Sequence, residues 1–121
     1  MTKNILIIED NELNLKLVND VLQAEKYKTL CARSGEEGLK LARHHQPDLI
    51  LMDIRLPGMS GLDAVAAIRE DLVLSSTPIV AVTAYAMNGD EAEIRSAGCD
   101  GFIEKPFSIE TLLETVAALV A

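Results

Sequence analysis

Short apolar runs alternate with amphipathic stretches along the whole chain, and this alternation limits the possible folds more than any other feature. Three of the runs have the length of a strand and are rich in branched residues: 5–8 (ILII), 49–52 (LILM) and 79–82 (IVAV). A strand that is apolar at every position must be covered on both faces, as in a parallel sheet flanked by helices. Residues 27–32 and 101–104 are weaker strands of the same series.

The stretches between these runs have the periodicity of helices. Ser34 and Ser60 are predicted to cap the second and third helices. The fourth helix is expected from about residue 88 to 97, with Gly98 after its end and a thin apolar face. One face of the first helix is apolar and is expected to be buried: Leu17, Val18, Val21 and Leu22.

The resulting order, βαβαβαβαβα, predicts one α/β domain over residues 1–121. Parallel strands joined by helices form a doubly wound sheet with helices on both faces. For five strands we expect the flavodoxin-like order 2-1-3-4-5, with five helices. A length of 121 residues suits a single domain of this kind.

Composition excludes several classes of function. The formal net charge of −8 argues against binding to nucleic acid or to anionic lipid, because both need a basic surface. No apolar run approaches the ~20 residues that span a bilayer, and the N-terminus lacks the layout of a signal peptide, so a cytoplasmic location is expected. Cys31 and Cys99 have no metal-binding or redox spacing and are expected to be reduced thiols.

Polar residues follow four of the five predicted strands. Glu9 and Asp10 come after the first strand, Asp53 ends the third, Thr83 ends the fourth, and Lys105 follows the fifth. The carboxyl ends of parallel strands meet at one edge of the sheet, where ligands bind. Each residue alone has an ordinary explanation as a solvated loop residue or a strand-end residue. Together they form a group of acids that would repel one another unless water or a hard cation such as Mg²⁺ lay between them.

This set of groups suits an aspartate nucleophile. Asp53 would attack a phosphoryl group while Mg²⁺ neutralises the charge on its oxygens. Lys105 could pair with the added phosphate as a point charge, and the Thr83 hydroxyl could donate to another phosphate oxygen.

At these positions the chain resembles the receiver domain of two-component response regulators, and the resemblance covers its whole length. The stretches 9–14 and 86–91 are especially similar to stand-alone receivers of the DivK type, and receivers of hybrid kinases share part of this pattern. The matching segments are 7–11 (IIEDN), 47–53 (PDLILMD), 56–61 (LPGMSG), 82–84 (VTA) and 105–107 (KPF).

The resemblance implies a role for each residue at the predicted site. Asp53 would accept a phosphoryl group from a phosphohistidine on a histidine kinase or a histidine phosphotransfer protein. Glu9, Asp10 and Asp53 would bind Mg²⁺, with the backbone carbonyl of Arg55 as a further ligand. Lys105 would contact the phosphate. The domain would catalyse only its own phosphorylation and dephosphorylation, and it would not be a separate enzyme.

The resemblance also implies a conformational switch. Thr83 and Tyr85 would be the switch pair, with Thr83 moving toward the phosphate and Tyr85 turning inward. Lys105–Pro106 resembles the cis peptide of the family. Phosphorylation would change the surface of helix four, strand five and helix five, which would regulate a downstream protein. We expect a monomer or a weak dimer.

One surface is a candidate for contact with the phosphodonor. Leu13 and Leu15 flank the apolar stripe of the first helix, and Asn14 lies above it, so these side chains are expected to be partly exposed beside the site. The residues predicted to contact a partner are Asn11, Leu13, Asn14, Leu15, Pro57 and Pro106.

Three other functions are compatible with such a fold. A flavin or dinucleotide binder needs a glycine-rich or hydroxyl-rich loop after the first strand, but residues 9–12 (EDNE) would repel phosphate. Aspartate phosphohydrolases are recognised by a D-x-D pattern at the nucleophile, but this chain has Asp53-Ile54-Arg55, so the second acid is missing. A receiver-like module that is never phosphorylated is the third. The sequence also leaves open whether the chain acts alone or is a domain of a longer protein.

Overall fold

Strands and helices alternate strictly along the chain. The computed structural model describes residues 2–84 and 90–120. The elements are β1 (Asn4–Ile8), α1 (Glu12–Ala24), β2 (Lys28–Ala32), α2 (Gly35–His45), β3 (Leu49–Asp53), α3 (Gly61–Glu70), β4 (Ile79–Thr83), α4 (Asp90–Ala97), β5 (Gly101–Glu104) and α5 (Ile109–Val120).

The five strands form one parallel sheet in the order β2-β1-β3-β4-β5, which confirms the predicted fold class. Ile8 of β1 pairs with Met52 of β3, and Thr83 of β4 pairs with Glu104 of β5. The strands therefore end at the same edge of the sheet. The loops that follow β1, β3, β4 and β5 start from this edge.

The sheet separates two apolar cores, and the two-residue period of β1 supplies both. Leu6 and Ile8 join the cluster that lies against α2 and α3. Ile5 and Ile7 join the cluster that lies against α1 and α5. Every residue of β3 and β4 is buried, as the uninterrupted apolar runs predicted.

Side-chain caps fix where four of the helices begin. Ser108 Oγ accepts a hydrogen bond from the Thr111 N–H at 3.0 Å, and α5 starts at Ile109. Asn11, Ser34 and Ser60 accept hydrogen bonds from backbone N–H groups three residues further on, and α1, α2 and α3 start at the next residue. The predicted caps Ser34 and Ser60 are thereby confirmed. The start predicted for the fourth helix, at residue 88, lies outside the described residues. The structure has α4 over Asp90–Ala97, and Gly98 follows it with φ +114°.

The prediction that Leu17 lies on the buried face of α1 is wrong. Val18 and Leu22 are buried and Val21 is partly buried, but half of Leu17 is exposed (50%). Val18 and Leu22 lie four residues apart on the face toward the sheet. Leu17 lies about 100° around the helix from Val18, on the same side as Leu13.

Arg69, near the end of α3, ties three segments together through its guanidinium. Its Nε donates to the Gly98 carbonyl at 2.9 Å and its Nη1 to the Thr77 carbonyl at 2.8 Å. Its Nη2 contacts Asp100 Oδ2 at 2.8 Å, and the same oxygen accepts from the backbone N–H of Ile79 at 2.9 Å. The C-terminal end of α4 is therefore bound to α3 and to the start of β4.

Neither cysteine forms a disulfide: Cys31 is exposed and Cys99 is buried. Over residues 2–84 and 90–120, no helix has the length and apolar character needed to cross a membrane.

Candidate functional site

Three acidic side chains meet where β1 and β3 end. Glu9 and Asp10 follow β1, and Asp53 is the last residue of β3. One carboxylate oxygen from each lies within 4.8 Å of the other two. Glu9 and Asp53 are buried, and Asp10 is half-buried. The three acids are close enough to share one cation.

Lys105 brings the opposite charge to this cluster from beyond β5. Its Nζ lies 2.8 Å from Glu9 Oε1 and 3.3 Å from Asp53 Oδ2. Its backbone N–H donates to the Thr83 carbonyl at 2.6 Å, which fixes the residue beside the end of β4. The predicted convergence of Lys105 on Asp53 is therefore present in the structure.

Burial and the neighbouring charges together raise the pKa of two groups in the cluster. Burial, followed by a hydrogen bond with Asp53, raises the pKa of Glu9 to about 7, although Lys105 acts in the opposite direction. Burial alone would lower the pKa of Lys105, but its contacts with Glu9 and the charge of Asp53 outweigh this and raise it. The cluster of Glu9 and Asp53 therefore takes up its first proton at a higher pH than an isolated carboxyl group would.

Backbone contacts hold Asp53 at the bottom of the site. Its Oδ1 accepts a hydrogen bond from the Arg55 N–H at 2.9 Å. The first turn of α3 approaches closely, because the Gly61 N–H donates to the Ile54 carbonyl at 3.0 Å. A Cβ at Gly61 would lie 2.5 Å from the Asp53 carbonyl oxygen, so only glycine allows this approach. The sequence alone indicates no separate role for Gly61.

Of the predicted switch pair and cis peptide, Thr83 and the Lys105–Pro106 peptide lie within the described residues. Thr83 is buried at the end of β4, beside the strand that carries Asp53. The Lys105–Pro106 peptide is cis. Tyr85 lies outside the described residues, so its role as switch partner stays a prediction.

A groove runs from the site along α1. Leu13, in the first turn of α1, is 78% exposed, and Pro57 is exposed in the loop after β3. Leu15 is partly exposed, as expected, and its buried part packs against the core cluster. The groove has a volume of about 510 Å³ and is lined by Asn14, Leu17, Ala84, Lys105, Pro106 and Phe107.

Arg33 also reaches the site, although nothing in the sequence predicts it. It follows β2, the outermost strand on this side of the sheet, and its Nη2 donates to the Asp10 carbonyl at 3.1 Å. No local motif indicates this contact, because it depends on the direction that a long side chain takes across the sheet edge.

Comparisons with known proteins agree with this arrangement. A family model described as "Response regulator receiver domain" matches residues 5–117. The polar-differentiation response regulator DivK of Brucella ovis is 52% identical over 116 residues, which cover 96% of this chain and 94% of that protein. The DivK of Brucella anthropi is 50% identical over the same shares.

Solved structures have the same fold. The chemotaxis protein CheY4 of Vibrio cholerae superimposes with a TM-score of 0.94 at 29% identity and covers 98% of this chain and 99% of its own. The receiver domain of the sensor histidine kinase PA1611 of Pseudomonas aeruginosa, which has a magnesium ion coordinated in its active site cleft, gives a TM-score of 0.92 at 30% identity. That match covers 99% of this chain and 98% of the other. With relatives half identical over nearly their whole length and a family match from residue 5 to residue 117, this chain belongs to the response regulator receiver domains.

Proposed function

We propose that this protein is a signalling switch in which Asp53 accepts a phosphoryl group from a phosphohistidine, in a reaction that needs Mg²⁺. The donor would be a histidine kinase or a histidine phosphotransfer protein. The observation that carries the proposal is the buried Asp53 carboxylate, with an ammonium group at 3.3 Å and two further carboxylates within 4.8 Å.

The donor set fits Mg²⁺. This ion prefers oxygen ligands and commonly takes one or two carboxylates together with phosphate and water. Asp10 and Asp53 would hold it, with Glu9 beside them and the Arg55 carbonyl as a further oxygen. When bound, the ion would neutralise charge on the phosphoryl oxygens. The magnesium ion in the PA1611 receiver domain supports this proposal.

The chemistry is a transfer between two nucleophiles. An oxygen of Asp53 attacks phosphorus, the bond between phosphorus and the donor imidazole nitrogen breaks, and its electron pair stays on that nitrogen. The product is an acyl phosphate on Asp53. Lys105, which contacts Asp53 Oδ2 in the structure, would pair with an oxygen of the incoming phosphoryl group. Thr83 would donate to another phosphoryl oxygen.

The phosphodonor would dock in the groove along α1. Leu13 and Leu17 lie four residues apart on one face of α1 and are both exposed next to the site. A helix of the partner could cover this apolar face and bring its phosphohistidine to Asp53. The output surface would be that of α4, β5 and α5, through which a downstream protein would sense the phosphoryl group.

The direct test is phosphorylation by acetyl phosphate, followed by intact-protein mass spectrometry. We expect the wild-type protein to gain one phosphoryl group in the presence of Mg²⁺ and none in the presence of EDTA. Asp53→Asn should gain none, whereas Asp63→Asn, which removes an exposed acid from the first turn of α3, should behave like the wild type. Equal uptake in Asp53→Asn would refute the proposal.

A further inference from the structure

Arg33 links the outer strand of the sheet to the acidic loop of the site. The pairing of β1 with β2 extends to this point, since the Glu9 N–H donates to the Ala32 carbonyl at 3.0 Å. One residue later, Arg33 Nη2 donates to the Asp10 carbonyl at 3.1 Å. The contact joins residues 23 positions apart in the chain.

The peptide bond between Asp10 and Asn11 is held from both sides. Its carbonyl accepts from Arg33, and its N–H donates to Glu9 Oε2 at 3.2 Å. Asn11 is in turn the N-cap of α1, because its side chain accepts from the Asn14 N–H at 3.0 Å. These contacts with Arg33, Glu9 and Asn14 therefore fix the direction in which the Asp10 side chain leaves the backbone.

The positions of the other two acids depend on different contacts. Glu9 uses Oε1 for Lys105 and Oε2 for the Asn11 N–H. Asp53 uses Oδ1 for the Arg55 N–H and Oδ2 for Lys105. Asp10 is only half-buried, so packing restrains its side chain less than it restrains Glu9 and Asp53. The backbone contact from Arg33 therefore has a larger effect on the position of Asp10.

We propose that Arg33 is a positioning residue for the divalent cation: by holding the Asp10 carbonyl, it keeps the Asp10 carboxylate in the cluster. This inference rests on the proposed Mg²⁺ site. Residues that orient metal ligands without touching the metal commonly have a large effect on its affinity.

A purely electrostatic role for Arg33 predicts the opposite result. A positive charge near a cation site repels the cation, so its removal would strengthen Mg²⁺ binding. The loss of positioning would weaken binding. Because the two effects have opposite signs, a single neutral variant distinguishes them.

The test is a calorimetric titration of Mg²⁺ into the full chain at fixed ionic strength. Arg33→Met keeps most of the apolar stem and removes both the charge and the donor. We expect about tenfold weaker binding, the low end of the usual effect of such residues, because Arg33 is exposed. Arg33→Lys retains a donor and should recover part of the affinity. Arg43→Met, near the other end of α2, removes an exposed arginine that contacts Asp71 and should leave affinity unchanged.

A second measurement in the metal-free protein separates positioning from general damage. Amide exchange at Asn11 should be several-fold faster in Arg33→Met, while the unfolding midpoint stays close to that of the wild type. Unchanged or tighter Mg²⁺ binding in Arg33→Met, with normal binding by the wild type, overturns the role of Arg33 alone. A wild-type protein that binds no Mg²⁺ overturns the proposed function, and this inference with it.

Discussion

Among single residues, Glu9 is in an unfavourable environment for a charged carboxylate, because it is buried beside Asp53. Lys105 compensates for only part of this cost. A raised pKa in the folded state means that the folded protein binds a proton more tightly than the unfolded chain does. The resulting stabilisation is complete below pH 4.5 and is lost as the pH rises to about 7.

Glu9→Gln should remove this pH dependence in the metal-free protein. Glutamine resembles the protonated acid, so at pH 8 the variant should be more stable than the wild type by on the order of 2–3 kcal/mol, and at pH 4 the two should be nearly equal. Urea unfolding in EDTA at both pH values measures the difference. If Glu9→Gln gained the same stability at pH 4 and at pH 8, the pH dependence would not come from Glu9. Mg²⁺ at pH 8 should stabilise the wild type more than the variant, because the ion replaces the proton.

Among the elements, α3 approaches the end of β3 so closely that the backbone leaves no room for a side chain at Gly61. Gly61→Ala would place a Cβ 2.5 Å from two backbone atoms, the Asp53 carbonyl oxygen and Ile54 Cα, neither of which can rotate away. We expect a loss of about 3 kcal/mol in the free energy of unfolding and slower phosphorylation, because α3 must move away from the loop that carries Arg55.

Gly101→Ala is the matched control for Gly61→Ala. A Cβ at Gly101 would meet Leu119 Cδ1 at 3.6 Å, an ordinary contact distance, so its stability should change little. Chemical denaturation of the two variants under identical conditions makes the comparison. Equal losses would show that the cost comes from replacing a glycine, and that the close approach of α3 to β3 has no special importance.

The exposed face of α1 predicts a separation between donor docking and chemistry. Leu17→Ser should slow phosphotransfer from a phosphohistidine protein by about tenfold, since a buried leucine at an interface contributes roughly 1–2 kcal/mol. Phosphorylation by acetyl phosphate, which needs no docking surface, should be unchanged. Leu72→Ser, at a leucine that is 95% exposed after α3, is the control for loss of surface leucine. If Leu17→Ser slowed phosphorylation equally from the phosphohistidine protein and from acetyl phosphate, Leu17 would affect the phosphoryl transfer step and not docking.

The elements differ in how far the sequence determined them. The strand order and the meeting of Glu9, Asp53 and Lys105 followed from uninterrupted apolar runs, because a strand buried on both faces leaves few alternatives. Leu17 was placed wrongly because neighbouring apolar residues on a helix do not reveal which of them faces the sheet. Arg33 and Gly61 were missed because their contacts depend on distances between segments that are far apart in sequence.

Across the whole molecule, α4 and the segment that follows it are expected to respond differently to phosphorylation. The segment after α4 is bound through the Gly98 carbonyl to Arg69, whereas α4 itself buries little besides Ile94 over residues 92–97. Elements with few buried contacts unfold locally at a small cost in free energy, so we expect the surface to change at α4.

Amide exchange with and without a phosphate mimic bound at Asp53 measures this difference. Exchange within Asp90–Ala97 and β5 should change by about tenfold or more, as expected for opening energies that shift by roughly 1.4 kcal/mol. The amides of Ile79 and Asp100, which are held through Asp100 Oδ2 and the Ile79 carbonyl, should not change. A uniform change, or no change in α4, would contradict an output surface at this position.

The contacts of Lys105 also have a consequence for how the protein is made. Its partners Glu9 and Asp53 precede it by 96 and 52 residues, so a growing polypeptide contains both acids long before it contains the ammonium group. On the proposed mechanism, a nascent or C-terminally shortened polypeptide would present an acidic pair with no cation to receive phosphate. On this mechanism, a polypeptide that ends before Lys105 would not receive the signal.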